Sequence, residues 1–337
     1  MTRIAPVLLL VLLVAGCGST DETASDPIKN VSNEARGSVQ AAQEVDVADF
    51  PKPTPGQTID AFAAQFAADG PVAVAGTSVY RTPGGRVAFG LLDEEQKFNY
   101  GPSVVYVAPY KGGGKVEGPF AAPADVLVTD PAFRSEQAAS EDDSFAAIYE
   151  AEVPFKQPGN YKVLTVSDID GTRYAAGMAA QVVSAKDDIV PDVGEKAPVV
   201  ETDTRGTVGG NLELLDTRVP QALELHQDSF ADVVGKKPVA LLFSTPALCR
   251  SRVCGPVTDA LLQVKSEVGD KATFIHQETY VDNDLQKGFR KPLVEYGLPS
   301  EPWLFTVDAD GRIAARLEGS FGLRAFREAV AAALQQQ

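Results

Sequence analysis

The chain has 337 residues, with 46 acidic against 30 basic side chains, a formal net charge of −16, two histidines and three cysteines. At about 100–200 residues per domain that length suggests two domains, and 44% apolar with 23% charged residues excludes disorder for most of the chain. The acidic balance argues against nucleic acid as a partner, because phosphate contacts need clustered Lys and Arg. Two histidines leave few options for a metal site or a catalytic triad, and no metal or cofactor is expected. The cysteines divide into one near the N-terminus and two close together.

Arg3 supplies a positive charge, and residues 4–14 are almost wholly apolar. That run is too short to span a bilayer, which takes roughly 18 apolar residues, and reads as a signal-peptide core. It ends in Val14, Ala15, Gly16 and Cys17, a tetrad that resembles the lipobox of bacterial lipoproteins. The resemblance implies that residues 1–16 are removed and that Cys17 carries the lipid, palmitate included. The mature protein is then anchored through Cys17 in the lipid bilayer, on the extracytoplasmic face of the cell membrane, where disulfides are permitted. Residues 17–57 are polar, with Pro51, Pro53 and Pro55, and are expected to form a flexible tether. Residues 58–69 place Ile59, Phe62, Ala63 and Phe66 on one face and predict a short amphipathic helix.

Short alternating runs follow. Residues 86–92, 104–107, 124–129, 147–153, 161–166 and 181–183 read as strands separated by Gly, Pro, Asn and Asp turns, which predicts an antiparallel sandwich. Gly159, Tyr161 and Val163 resemble the tyrosine corner of immunoglobulin-like domains, with Val163 where antibody domains carry a Cys. Residues 58–189 are therefore expected to be the short helix plus an immunoglobulin-like β-sandwich without an intersheet disulfide, serving as a docking or spacer module. Asp168-x-Asp170-Gly171 and Asp308-x-Asp310-Gly311 are tight turns. An EF-hand loop needs Glu at its twelfth position, where Ala179 and Gly319 stand.

A linker is expected over 190–206, and strands alternate with helices in 207–337. Strands are predicted at 222–226, 239–243 and 272–278, with a hairpin of 303–307 and 312–317. Helices are predicted at 228–234, 256–268, 284–296 and 323–334. This order is an α/β layer fold with helices on both faces of the sheet.

Two stretches resemble redoxin-type, TlpA/ResA-like thioredoxin domains. One runs from Gly194 and Pro198 through Asp228-Ser229-Phe230 and Gly235 to Phe243; the other from Tyr296-Gly297 through Glu301-Pro302-Trp303 to Asp308 and Gly311. The expected architecture is thus multidomain, an all-β immunoglobulin-like sandwich followed by an α/β thioredoxin-like domain. The resemblance implies that Pro302 is the cis-proline facing a dithiol. Glu301 stands where that family usually has a small or hydroxyl residue. Glu301, Trp303 and Thr245 are the substrate-binding candidates.

The dithiol departs from the family. Cys249 and Cys254 are spaced Cys-x4-Cys, where thioredoxins have Cys-x2-Cys. Counted from the strand, Cys249 is close to the nucleophilic position; by local identity, Cys254-Gly255-Pro256 resembles Cys-Gly-Pro-Cys with its second Cys replaced. The spacing is also similar to Q-type peroxiredoxins, but Thr245 lies four residues before Cys249, not three, and Leu242 replaces their Pro. Positions i and i+5 of a helix lie about 140° apart, and a disulfide needs Cα atoms roughly 4.4–6.8 Å apart. The two cysteines cannot bond while both are helical. Either the segment is an irregular loop with the helix starting at Pro256, or oxidation unwinds a turn. Arg250, Arg252 and the helix N-terminus favour a thiolate, whereas Glu301 opposes it. His226 and His276 read as hydrogen-bonded structural residues; the ligand His of Sco-type copper chaperones lies much further along the chain. Three activities remain open: exchange with exported protein thiols or disulfides, with Cys249 attacking, Cys254 resolving and Pro302 positioning the partner; peroxide reduction by the same pair with Thr245 and an Arg; and a binding module whose disulfide is static.

Overall fold

The computed structural model describes residues 26–335 apart from 68, 111–114, 140–144 and 250. The signal-peptide and lipidation expectations at Cys17, and the charge of Arg250, lie outside the described residues. No helix among them is long and apolar enough to cross a membrane.

Nine strands build the first half: β1 (Val72–Ala75), β2 (Tyr80–Thr82), β3 (Gly85–Leu92), β4 (Ser103–Pro109), β5 (Glu117–Ala121), β6 (Ala124–Val126), β7 (Ala147–Val153), β8 (Gly159–Ile169) and β9 (Thr172–Ser184). They form two sheets, ordered β1-β3-β7-β6 and β2-β9-β8-β4-β5, in which only β2 and β9 pair in parallel. Period-2 alternation explains the packing. Val87, Phe89 and Tyr149 of the first sheet meet Val105, Val107, Val163 and Val182 of the second in one core. Phe89 and Tyr149 stack with ring centroids 5.0 Å apart. The Tyr161 hydroxyl donates to the Gln157 carbonyl at 3.0 Å, pinning the entry to β8.

The second sheet is covered on its outer face too. Val104, Tyr106, Leu164 and Val166 pack with Phe62 of α2 (Ile59–Ala63) and with Phe50. Residues 26–57 differ here from the expected tether. They contain α1 (Asn33–Gln43), whose first turn is capped by Ser32 Oγ accepting from Ala35 N at 3.2 Å. Val31, Val39 and Ala42 enter the sandwich core. A few well-spaced apolar residues suffice to anchor a segment whose average composition is polar.

The second half contains α3 (Leu212–Leu215), α4 (Phe230–Val233), β10 (Val239–Phe243), α5 (Cys254–Val268), β11 (Thr273–Gln277), α6 (Lys291–Glu295), β12 (Trp303–Val307), β13 (Ile313–Glu318) and α7 (Leu323–Gln335). The sheet order is β11-β10-β12-β13, with β10 parallel to β11 and the other pairs antiparallel. Alternate residues divide between its faces. Ala240, Leu242 and Leu304 pack against Val257 and Leu261 of α5 and Phe326 and Val330 of α7. Leu241, Phe243 and Phe305 pack against Phe230, Leu293 and Tyr296 on the other side.

Two elements differ from expectation. Residues 222–226 form a single 3-10 turn (Leu223–Leu225) where a strand was predicted, because the Asp216 carboxylate takes the Ala222 N–H at 2.7 Å and bends the chain. Within 284–296 the α-helix is only α6, since Pro292 belongs in a first turn and cannot continue a helix begun earlier. The expected linker is itself packed: Val190, Ala197 and Val200 are buried beneath the sheet, and Gly194 N donates to Ile313 O at 2.8 Å.

Direct bonds join the halves. Ser320 N donates to Gly76 O at 2.7 Å, and the Glu318 carboxylate accepts from Ser78 N at 2.9 Å and Ser78 Oγ at 2.6 Å. Arg86 pairs with Glu150 at 2.6 Å and reaches the Glu318 carbonyl at 2.8 Å. Asp125 of β6 caps α7 from outside its own half, accepting from Arg324 N and Ala325 N at 2.9 Å each.

Candidate dithiol site

β10 delivers its chain to a tight turn before α5. Leu248 N and Cys249 N both donate to Thr245 O, at 3.2 and 3.1 Å, so Cys249 sits on an isolated turn rather than in a helix. Arg252 then adopts a left-handed conformation at φ 61°, and α5 starts at Cys254, two residues ahead of the expected Pro256. Pro256 is tolerated there because the first N–H groups of a helix have no intrahelical acceptor. Of the two arrangements the spacing left open, residues 251–253 show the irregular loop.

Both cysteines are thiols in this structure; Cys249 is partly exposed and Cys254 fully buried. The Cys254 thiol donates to the Cys249 sulfur and, against the effect of burial, draws its pKa down to about 6; the Ser251 hydroxyl at 3.2 Å and the backbone N–H groups of Cys254 and Ser251 add to this. Burial, the Cys249 charge and Glu301 push the Cys254 thiol the other way, well above its ordinary value. A partly exposed thiol of lowered pKa beside a buried one is an arrangement that can serve a two-step exchange.

Glu301 and Pro302 are joined by a cis peptide bond ahead of β12. Glu301 is held near the pair, accepting from the Tyr280 hydroxyl at 3.2 Å; burial and the Cys249 charge raise its pKa. Two expected substrate contacts are corrected. Trp303 is 1% exposed, packs on Phe305 and commits its indole N–H to Ser300 Oγ at 3.1 Å. β12 is covered on both faces, so its position there places it in the core. Thr245 is likewise fully buried, on the Glu278 side of the turn, and offers no surface to a substrate or a peroxide.

The structure adds parts that sequence reasoning missed. Cys249 and Val253 pack against the sandwich core, so the first half forms a wall of the site. Residues 130–137 lie along α5. Asp130 N donates to Gln263 Oε1 at 2.8 Å, and Ser135 N and Oγ both donate to Asp259 Oδ2 at 3.0 Å. Arg218, 4% exposed, bridges Asp259 Oδ1 at 2.8 Å and the Phe133 carbonyl at 2.7 Å. Gly255 is required by this approach, since a Cβ there would fall 2.2 Å from the Gln137 carbonyl oxygen. Behind the turn, burial raises Glu278 to about 7 although its carboxylate accepts from Thr217 N at 2.8 Å and Thr217 Oγ1 at 2.6 Å. Only the Gly255-Pro256 pair hinted at close packing in the sequence.

A mixed four-stranded sheet with helices on both faces, a dithiol at the start of α5 and a cis-proline ahead of β12 make a thioredoxin-like domain. No family model and no curated protein matches the sequence. Among solved structures the chain is similar to a provisionally named thiol:disulfide interchange protein DsbE from Chlorobium tepidum, at 17% identity over 43% of this chain and 99% of that one, with a TM-score of 0.32. It is also similar to a thioredoxin-like superfamily protein, at 16% identity over 41% of this chain and 96% of that one, with a TM-score of 0.30.

Proposed function

We propose that the protein is a thiol–disulfide oxidoreductase acting on exported protein thiols or disulfides. The observation that carries this reading is the contact between a partly exposed Cys249, its pKa drawn down to about 6, and a buried Cys254 at the first residue of α5. In the reducing direction the Cys249 thiolate attacks a partner disulfide, forms a mixed disulfide and releases one partner thiolate. Cys254, once deprotonated, attacks Cys249 Sγ, closes the Cys249–Cys254 disulfide and releases the second thiolate. The partner gains two electrons, the pair loses two, and a thiol donor restores it. Pro302 and Glu301 flank the pair and contact the partner segment; the immunoglobulin-like sandwich of 58–189 walls the site beside the thioredoxin-like domain of 207–337.

The trapping experiment follows from this order. Cys254→Ser accumulates mixed disulfides through Cys249, whereas Cys249→Ser captures nothing and loses exchange activity down to background. A redox potential above about −300 mV supports an exchangeable pair. A pair that resists reduction and traps no partner leaves a binding module with a static disulfide, and rapid peroxide consumption moves the activity to peroxide reduction.

We further propose that Cys17 is the lipid-bearing first residue of the mature chain, on the extracytoplasmic face of the cell membrane. The Arg3, apolar-core and Val14–Cys17 pattern supports this. Cys17→Ser is expected to leave the protein unprocessed or to release it from the membrane fraction; unchanged detergent partitioning defeats the proposal.

A further inference from the structure

The chain has only two histidines, 50 residues apart, and both are completely buried side by side. His276 comes from β11; His226 follows the 3-10 turn before α4. Their facing atoms, His276 Nδ1 and His226 Nε2, are 3.3 Å apart. The buried Asp216 carboxylate approaches both, with Oδ2 3.7 Å from His226 Nε2 and Oδ1 3.8 Å from His276 Nδ1.

Proton placement makes this cluster unusual. His276 Nε2 lies 3.0 Å from the Ser244 carbonyl, which can only accept, so the proton of a neutral His276 is on Nε2 and the Nδ1 lone pair faces the cluster. Asp216 is fixed by backbone donors, Arg218 N to Oδ1 at 2.9 Å and Ala222 N to Oδ2 at 2.7 Å. With both rings neutral, one proton at most, on His226 Nε2, lies among three converging acceptors. It can serve His276 Nδ1, but both contacts to the carboxylate are too long for hydrogen bonds. Buried acceptors left facing one another carry a penalty of about 1–3 kcal/mol each.

We propose that Asp216, His226 and His276 bind a divalent cation of the Zn2+ class, through Oδ1 or Oδ2, Nε2 and Nδ1 respectively. A cation replaces the missing donors at one stroke. Zn2+ takes nitrogen and carboxylate ligands at about 2.0–2.2 Å in a tetrahedron, whose edges are then about 3.3–3.6 Å. The histidine pair already matches that edge, and the three ligand atoms lie within 4.8 Å of one another, so the carboxylate must turn to bring one oxygen toward both nitrogens. Octahedral edges, near about 3 Å, fit less well. The Ser244 carbonyl provides the outer-shell acceptor that orients a metal-bound imidazole. The fourth position falls to a water molecule. Neither cysteine takes part: the ion staples the 216–226 segment to β11 behind the dithiol, and Ser244 Oγ, 2.8 Å from Thr258 Oγ1, links that region to the first turn of α5.

The test uses the full chain carrying Cys17→Ser, Cys249→Ser and Cys254→Ser, which removes all three thiols as competing ligands. Titration with ZnCl2 is expected to reach about one equivalent, and Co2+ to give the intense visible bands of a tetrahedral site without a thiolate charge-transfer band. His276→Gln or His226→Gln is expected to abolish that binding. Because both variants alter the core, imidazole nitrogen NMR on the parent chain gives a second readout. On adding Zn2+, His276 shifts at Nδ1 and keeps its proton on Nε2, whereas His226 shifts at Nε2 and carries its proton on Nδ1. Unshifted imidazole resonances, a titration without uptake, or undiminished uptake in a folded His276→Gln variant overturns the proposal.

Discussion

The two halves of the molecule spend their buried volume differently. The core between the sandwich sheets is built from aliphatic and aromatic side chains, with Tyr100, Tyr149 and Tyr161 turning their hydroxyls to backbone carbonyls. Around the thioredoxin-like sheet, by contrast, Asp216, Arg218, His226, Asp259, His276, Gln277 and Glu278 are all nearly or fully buried. Burying such groups is costly unless each finds a partner. The sandwich buries few charged groups, Asp125 and Glu150 among them, whereas the second half maintains a larger set of charged and imidazole side chains that packing does not require. Several of those groups lie beside the turn that carries Cys249 and the start of α5, where the proposed exchange would take place.

Arg218→Ala strikes that contrast hardest. It strips Asp259 of its buried partner and frees the Phe133 carbonyl, so a loss of about 3–5 kcal/mol in denaturant unfolding is expected. A loss under about 1 kcal/mol would place Arg218 among ordinary surface pairs. Gly255→Ala tests whether the sandwich is a wall of the site. Its Cβ collides with the Gln137 carbonyl, and a loss of about 1–3 kcal/mol is expected together with faster alkylation of Cys254. Unchanged alkylation shows that residues 130–137 do not shield the pair.

Asp125→Ala removes the cap that the sandwich supplies to α7, at a cost of about 1–2 kcal/mol in thermal or denaturant unfolding. The smallest effect is a pH profile. Because the Cys249 pKa is lowered to about 6, its thiolate forms as pH rises through that value. Cys254→Ala loses the donor that contributes most to this shift, so the midpoint of Cys249 alkylation is expected to move upward, toward the ordinary value of about 8.5. Coincident midpoints in the two proteins show that Ser251 and the backbone N–H groups hold the thiolate unaided.

The alternation of β3, β7 and β8 and the apolar runs of β10 and β12 were legible in the chain, because a two-residue period fixes which face is buried. So were the dithiol, the cis-proline position and the impossibility of a helical Cys249–Cys254 pair. Trp303 was misjudged as a substrate contact: proximity to Pro302 does not reveal that β12 is an inner strand covered on both faces. The 26–57 segment was misjudged through its average composition, although Val31, Val39 and Ala42 are buried in the sandwich core and Phe50 on the outer face of the second sheet.

Local order in this protein follows from short-range rules that act along the chain: side-chain period, Pro and Gly punctuation, and the spacing of two cysteines. Which thiol is exposed, what lies over α5, and the meeting of His226 with His276 follow from contacts between residues 50 to more than 100 positions apart. Such contacts depend on how sheets and helices stack, and stacking is decided by the whole set of faces competing for burial. For that reason the dithiol could be read from two letters and a gap, while the wall beside it and the histidine pair behind it appeared only in three dimensions.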